Sequence, residues 1–253
     1  MGSGARRPLN ERRMKLDGQI RKEDRKLRLL NPISTTKIGT WNVRSMYIPG
    51  KAQIIANEMK AYGISILGIA EARWNEAGQT RLTSGETIIY SGHMEENAAY
   101  SVGVAIMISK KAQRTLIGWE PVSARVITTK FKTSHKRIAL NIIQCYTPTN
   151  DADEETTRKS SEKDITILLG DMNATVGNEN TGYEEVMGKH GLGAMNENGE
   201  LFANFCANYN LVTGGTIFPH KKCHLSTRLE NRKPNRSLLY IQEIQKKPTG
   251  CTC

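Results

Sequence analysis

The chain has 253 residues, 38% of them hydrophobic and 24% charged, and a formal net charge of +11. No apolar stretch approaches the roughly 20 residues a membrane-spanning helix needs, so a soluble, single-domain protein with one sizeable core is expected. The basic excess lies at the ends: residues 1–30 hold ten Lys/Arg against four Asp/Glu, residues 220–253 eight against two, and residues 31–219 eighteen against nineteen. Such ends read either as solvated tails or as segments that meet nucleic-acid phosphates by counterion release.

Met1 through Leu30 lacks the apolar core of a secretory signal, and Glu11, Asp17, Glu23 and Asp24 among its basic residues argue against a transit peptide. Together with five scattered cysteines that show no paired zinc spacing, this predicts an intracellular chain with reduced thiols, in nucleus or cytoplasm. Arg12-Arg13-Met14-Lys15 and Arg21-Lys22-Glu23-Asp24-Arg25-Lys26 read as import signals or as a solvated arm. Residues 1–36 are assigned to a basic, disordered arm, 37–224 to the folded domain, and 225–253 to a basic tail.

From Lys37 onward, apolar runs bounded by turn residues predict strands at about 37–43, 64–70, 86–91, 101–109, 122–132, 137–146 and 164–170. A helix near 51–62 is expected to share Ile54, Ile55, Met59 and Tyr62 on one face, and a second at 198–208 to be capped by Asn198 ahead of a strand-like Leu211-Val212. Strand-rich order with few helices suggests two packed sheets flanked by helices. Two stretches break this consistency. The connection from Tyr146 to Ile165 has no large apolar residue over 151–160 with which a crossover helix could pack, and the sequence after about Lys221 is basic and aperiodic apart from Leu238-Leu239-Tyr240-Ile241.

Three of these strands end on oxygen-bearing side chains: Lys37-Ile38-Gly39-Thr40-Trp41 on Asn42, Ile64 through Ala70 on Glu71, and Ile165 through Gly170 on Asp171, with Asn173 two places on. Converging strand ends that carry carboxylates and carboxamides are how a hard-cation site is built. The plainer readings are a solvent-facing strand-end carboxylate for Glu71, a turn residue for Asn42, and an Asx turn for Asp171 and Asn173. If the strand continues, the spacing of Asp171 and Asn173 puts both on one face. Arg73 and Trp74 follow Glu71 and read either as nucleic-acid contacts or as loop packing. His93, His135, His190, His220 and His224 show no zinc-binding pattern, because His220 and His224 follow Pro219 and lack an intervening glutamate.

Taken in order, Thr40-Trp41-Asn42-Val43-Arg44, Ala70-Glu71-Ala72-Arg73-Trp74, Tyr146-Thr147-Pro148-Thr149 and Gly170-Asp171-Met172-Asn173-Ala174 resemble the endonuclease/exonuclease/phosphatase superfamily. The likeness is nearest to the apurinic-type endonuclease domain of LINE-type (non-LTR) retrotransposons and to craniofacial development protein 2-like proteins, and it spans about residues 37–224. It implies a four-layer α/β sandwich and hydrolysis of DNA phosphodiesters with magnesium, or manganese in its place. Carried onto this chain, it implies Glu71 as the principal metal carboxylate with Asn42 beside it and Asp171 as the group that orients or deprotonates the attacking water. It further implies Asn173 as the amide on the scissile phosphate and Tyr146 as a hydroxyl that steadies the network, a residue that would otherwise read as a packed strand tyrosine.

The family closes on two further motifs that contribute an aspartate and a histidine, and this chain has no aspartate after Asp171. The resemblance thus implies a C-terminal part that is truncated or degenerate, and nuclease activity that is weak or lost. A catalytically silent nucleic-acid-binding remnant, and a phosphatase or deadenylase of the same superfamily, are the alternatives.

Overall fold

The computed structural model describes Leu29, residues 36–92, 102–146 and 164–217, and the backbone of 244–246. The chain runs β1 (Ile38–Asn42), α1 (Lys51–Ala61), β2 (Ile66–Ala70), β3 (Gly78–Arg81), β4 (Thr87–Ser91) and β5 (Val104–Ile108). It continues through α2 (Lys110–Gln113), β6 (Leu116–Ser123), β7 (Val126–Lys132), β8 (Ala139–Tyr146), β9 (Ile165–Asp171), α3 (Glu197–Asn208), β10 (Leu211–Thr213), α4 (Gly214–Ile217) and β11 (Ile244–Lys246). One mixed sheet has the order β1-β2-β5-β4-β3 and the other β6-β7-β8-β9, while β10 and β11 pair separately. Within them β1 and β2 run parallel, as do β8 and β9, and the remaining pairings are antiparallel.

Alternation along the strands explains the layers. Ile66, Val104, Ile106 and Ile108 of the first sheet meet Ile127, Phe131, Leu140, Ile142, Ile167 and Leu169 of the second in one buried cluster. The alternate residues Leu67, Ile69, Ala105 and Met107 face Ile55, Ala56 and Met59 of α1, and Val126, Ile143, Cys145 and Leu168 face Phe202, Ala203 and Cys206 of α3. The result is helix, sheet, sheet, helix, the four-layer sandwich expected. Strands apolar on both faces, such as β2 and β5 in which every residue is buried, are what a sheet covered on both sides requires. Cys206 lies within the outer layer, where it accepts a 3.7 Å hydrogen bond from Thr213 Oγ1, and burial pushes its thiol up to about 12.

Several elements depart from expectation, each for a local reason. The predicted strand 122–132 is instead the end of one strand, a turn and another, because β6 folds back onto β7. Pro121, tolerated because β6 is an edge, and register shifts flanking Gly118 and Pro121 spoil the alternation that would have revealed it. The edge strand β3, Gly-Gln-Thr-Arg, carries no apolar signal at all. In α1 the buried stripe runs through Ile55, Ala56 and Met59, while Ile54 and Tyr62 are 60% and 57% exposed, so the predicted face was rotated by about one residue, or 100°. Leu29, placed by sequence in the arm, is 2% exposed within the inter-sheet core and bridges to Thr133. The crossover 147–163, with Thr147, Pro148 and Thr149, lies outside the described residues, as do His93, His220, His224 and 238–241.

At Gly68 of β2 a side chain of the second sheet occupies the place a Cβ would take. Buried Gln144 of β8 fills the space above it, accepts from Thr40 Oγ1 at 3.2 Å and donates to the Cys145 carbonyl at 3.0 Å. A Cβ on Gly68 would stand 1.8 Å from Gln144 Oε1 and 3.3 Å from Leu169 Cδ1. Gly68→Ala is expected to cost about 1–3 kcal/mol of stability in denaturant melts, as overpacking does. Most of that cost should vanish in a Gln144→Ala background; equal costs in both backgrounds would show that the contact is not what constrains the site.

Candidate active site

Asn42, Tyr146 and Asp171 end β1, β8 and β9, and each shares the parity of the inward-facing residues on its strand: Thr40, Leu140 with Ile142, and Ile167 with Leu169. Glu71 follows the last residue of β2. Because β1 and β2 are parallel, and β8 and β9 are parallel, these four ends emerge on one rim of the sandwich.

The Asn42 carboxamide joins them. Its Nδ2 donates to Glu71 Oε1 at 2.7 Å and to Asp171 Oδ2 at 2.9 Å, while its Oδ1 accepts from the Arg44 amide at 3.0 Å, an arrangement that fixes which way the amide faces. Tyr146 Oη donates to Glu71 Oε1 at 3.0 Å, and Arg73 Nη2 pairs with Glu71 Oε2 at 3.1 Å. Burial, with the Glu71 side chain 15% exposed, raises its carboxyl pKa. Hydrogen bonds from Asn42, Tyr146 and Arg73, with the charge of Arg73, outweigh that and hold it below the usual glutamate value.

The loops around the rim are held in an uncommon backbone region. Of five non-glycine residues with positive φ among the described residues, Arg44 (61°), Glu71 (54°), Arg73 (61°) and Asn173 (48°) flank this cluster. Such conformations persist where surrounding bonds over-determine them and concentrate at functional sites. Here the amide of Ala72 donates to Gly103 O at 2.7 Å and that of Met46 to Ala72 O at 3.0 Å, extending the ladder past the strand ends. Gly103, at φ 132°, permits this approach, since a Cβ there would lie 2.8 Å from the Arg73 nitrogen.

Asn173 does not continue β9, so the same-face spacing with Asp171 does not apply. The strand ends at Asp171, the Asn173 amide donates to Asp171 Oδ1 at 3.2 Å, and the residue is exposed. Its carbonyl accepts from Asn196 Nδ2 at 3.2 Å and Asn198 Nδ2 at 3.4 Å. Asn196, not Asn198, caps α3, because the helix starts at Glu197 and Asn196 Oδ1 accepts from Gly199 N at 2.8 Å. The same oxygen accepts from the Thr175 amide at 2.9 Å, tying the helix start to the site loop. Sequence reasoning missed Asn196; an Asn three residues before the glycine of Asn196-Glu197-Asn198-Gly199 was the available signal. Trp74 is a packing residue, with its ring edge-on to Tyr90 at a centroid distance of 4.5 Å. Neither described histidine, His135 or His190, has a hydrogen bond to the cluster among the described residues.

Because the folded-state Glu71 pKa is depressed, its contribution to stability is present above the usual glutamate range and lost as pH falls through the lowered value. Denaturant melts over a pH series should show Glu71→Gln losing part of the parent's acid-side decline. An identical decline in both would mean that the hydrogen bonds do not select the ionised carboxylate.

No family model matches the chain. It is 33% identical over 201 residues to craniofacial development protein 2 of Tragulus javanicus and, equally, of Bos taurus. Each match covers 75% of this chain, which spans only about a third of either relative's length, 33% and 32%. In structure it is similar to the AP endonuclease LMAP from Leishmania major, with a TM-score of 0.53 and 12% identity, covering 88% of this chain and 85% of that one. An endonuclease/exonuclease/phosphatase family protein from Leptotrichia buccalis aligns with a TM-score of 0.49 and 10% identity over 83% of this chain and 87% of its own. Over three quarters of its length the chain is therefore similar in sequence to part of craniofacial development protein 2, and its fold is the two-sheet α/β sandwich also seen in the AP endonuclease LMAP.

Proposed function

We propose that this rim hydrolyses phosphodiester bonds of DNA with the help of a divalent cation. The observation that carries the reading is the convergence of Glu71 and Asp171, from different sheets, on one carboxamide. An ionised carboxylate offers about four acceptor positions, of which Glu71 uses three and Asp171 two among the described residues. The remaining oxygen positions are hard donors, suited to magnesium or manganese. Magnesium characteristically takes one or two carboxylates, keeps several waters and shares the substrate phosphate. Among the described residues no group of three or more His, Cys, Asp or Glu that could hold a metal ion forms. Glu71 would hold the cation, which would supply Lewis-acid neutralisation of charge on the phosphate, while Asn42, with its Nδ2 on the carboxylates and its Oδ1 on the Arg44 amide, orients Glu71 rather than offering an oxygen itself.

The chain's own groups have separate tasks in this reading. Asp171, its orientation fixed by the Asn42 and Asn173 amide hydrogens, takes the proton of the attacking water. Asn173 turns its exposed carboxamide toward a phosphate oxygen and donates to it as charge builds. Tyr146 and Arg73 keep Glu71 ionised and in place. LMAP is named an AP endonuclease, which favours DNA over a small phosphate ester as the substrate class. Residues 172–253 contain no aspartate to supply the family's closing carboxylate. Removing one group that stabilises transition-state charge costs about 10²- to 10³-fold, so slow turnover is expected.

The test is nicking of supercoiled plasmid with magnesium by the parent and by a Glu71→Ala, Asp171→Ala double variant, both confirmed folded. Slow nicking by the parent that chelation stops and the double variant lacks is the expected outcome. Equal silence from both would leave nucleic-acid binding without hydrolysis, and equal nicking by both would place the chemistry elsewhere.

A further inference from the structure

The rim opposite the candidate site carries a concentration of charge that the hydrolytic reading does not use. Two turns form it. The segment Lys110–Gln113 follows β5, whose Ile108 pairs with Ile66 at the start of β2, and the β7–β8 turn follows Lys132, which pairs with Ala139 at the start of β8. The Lys132 amide donates to Thr115 O at 2.8 Å, fastening the two turns together. Both therefore lie at the beginnings of the strands whose ends carry Glu71 and Tyr146. Eight residues of β8, at about 3.3 Å each, put them roughly 25 Å from the candidate site.

On this rim Lys110, Lys111, Arg114, Lys132, Lys136 and Arg137 are exposed, and none has an acidic partner among the described residues. The nearby acids are already matched: Asp164 pairs with Lys130 at 2.9 Å and Glu86 with Lys60 at 3.3 Å. Lys132, His135, Lys136 and Arg137 line a shallow cleft of about 580 Å³ with Ile117 and Asp164. The turn that presents them is well tied, with Thr133 Oγ1 donating to Ile138 O at 2.6 Å and accepting from the His135 amide at 3.1 Å. An independent observation adds to this. Leu29 is docked on the same turn, its carbonyl accepting from the Ser134 amide at 3.1 Å, and the sequence before it holds ten Lys/Arg.

We propose that this rim is a second nucleic-acid-binding surface, which contacts the phosphate backbone without reading sequence. Exposed cations with no acidic partner among the described residues, set on two fixed turns, match a linear polyanion neutralised by counterion release. A membrane surface is the weaker match, because the turns are short and present no apolar face to insert; Ile117, 52% exposed, stands alone among the cations. The proposal does not depend on the hydrolytic reading, since binding is measured without a divalent cation.

The test is fluorescence anisotropy of a short DNA duplex with the full chain in EDTA over a salt series, comparing the parent with Lys136→Gln/Arg137→Gln and with Lys110→Gln/Lys111→Gln. Each double variant should lower the slope of log affinity against log salt by about 2, and weaken binding at least tenfold near 0.1 M salt. Lys189→Glu, on the exposed loop over the outer face of the second sheet, removes the same net charge and should cost much less. Unchanged binding in both double variants would overturn the proposal, as would an equal loss in all three, which net charge alone would produce. Loss of sedimentation with phosphatidylserine vesicles while duplex binding stays intact would overturn it in favour of a membrane. Thermal melts matching the parent's exclude misfolding as the cause of any loss.

Discussion

A single carboxamide links the two sheets where chemistry is possible. Asn42 reaches Glu71 on its own sheet and Asp171 on the other, so two ionised groups that would repel each other are held by a shared neutral donor. The bond to Glu71 is one of those that favour the ionised form of that carboxylate. The remaining features of the rim serve this bridge: Arg44 N fixes its orientation, Tyr146 and Arg73 fill other sides of Glu71, and the Asn173 amide holds the other Asp171 oxygen.

The bridge in turn depends on topology. Each sheet contains one parallel pair, β1 with β2 and β8 with β9, and only parallel neighbours bring two strand ends to the same rim. Between the sheets, Gly68 leaves the room that the buried Gln144 side chain fills. The helices cover the outer faces and add nothing to the carboxylates directly, except that Asn196 at the start of α3 reaches back to hold the Asn173 loop.

Much of this was legible in the sequence because it rests on short-range pattern. Apolar runs that end on Asn42, Glu71 and Asp171 mark buried strands and what they deliver. What stayed hidden depends on three-dimensional partners. Nothing in Gly-Gln-Thr-Arg announces β3, which is defined only by pairing with β4. The face of α1 could not be chosen between Ile54 and Ile55 without the sheet that Ile55 meets, and the positive φ of Glu71, a residue with little preference for that region, is held where bonds from other segments fix the loop. Two asparagines near α3 compete for the cap, and the contact with Thr175 decides between them.

The buried thiol of Cys206 has a consequence for dynamics. With its pKa pushed to about 12 and its sulfur enclosed beneath α3, it is almost wholly protonated at neutral pH and out of reach of an alkylating reagent. Its modification therefore waits on a transient detachment of that helix, and the rate of labelling under native conditions reads the free energy of this local opening. Since Asn196 joins the start of the same helix to the site loop, the thiol acts as a clock for how long that loop keeps its support.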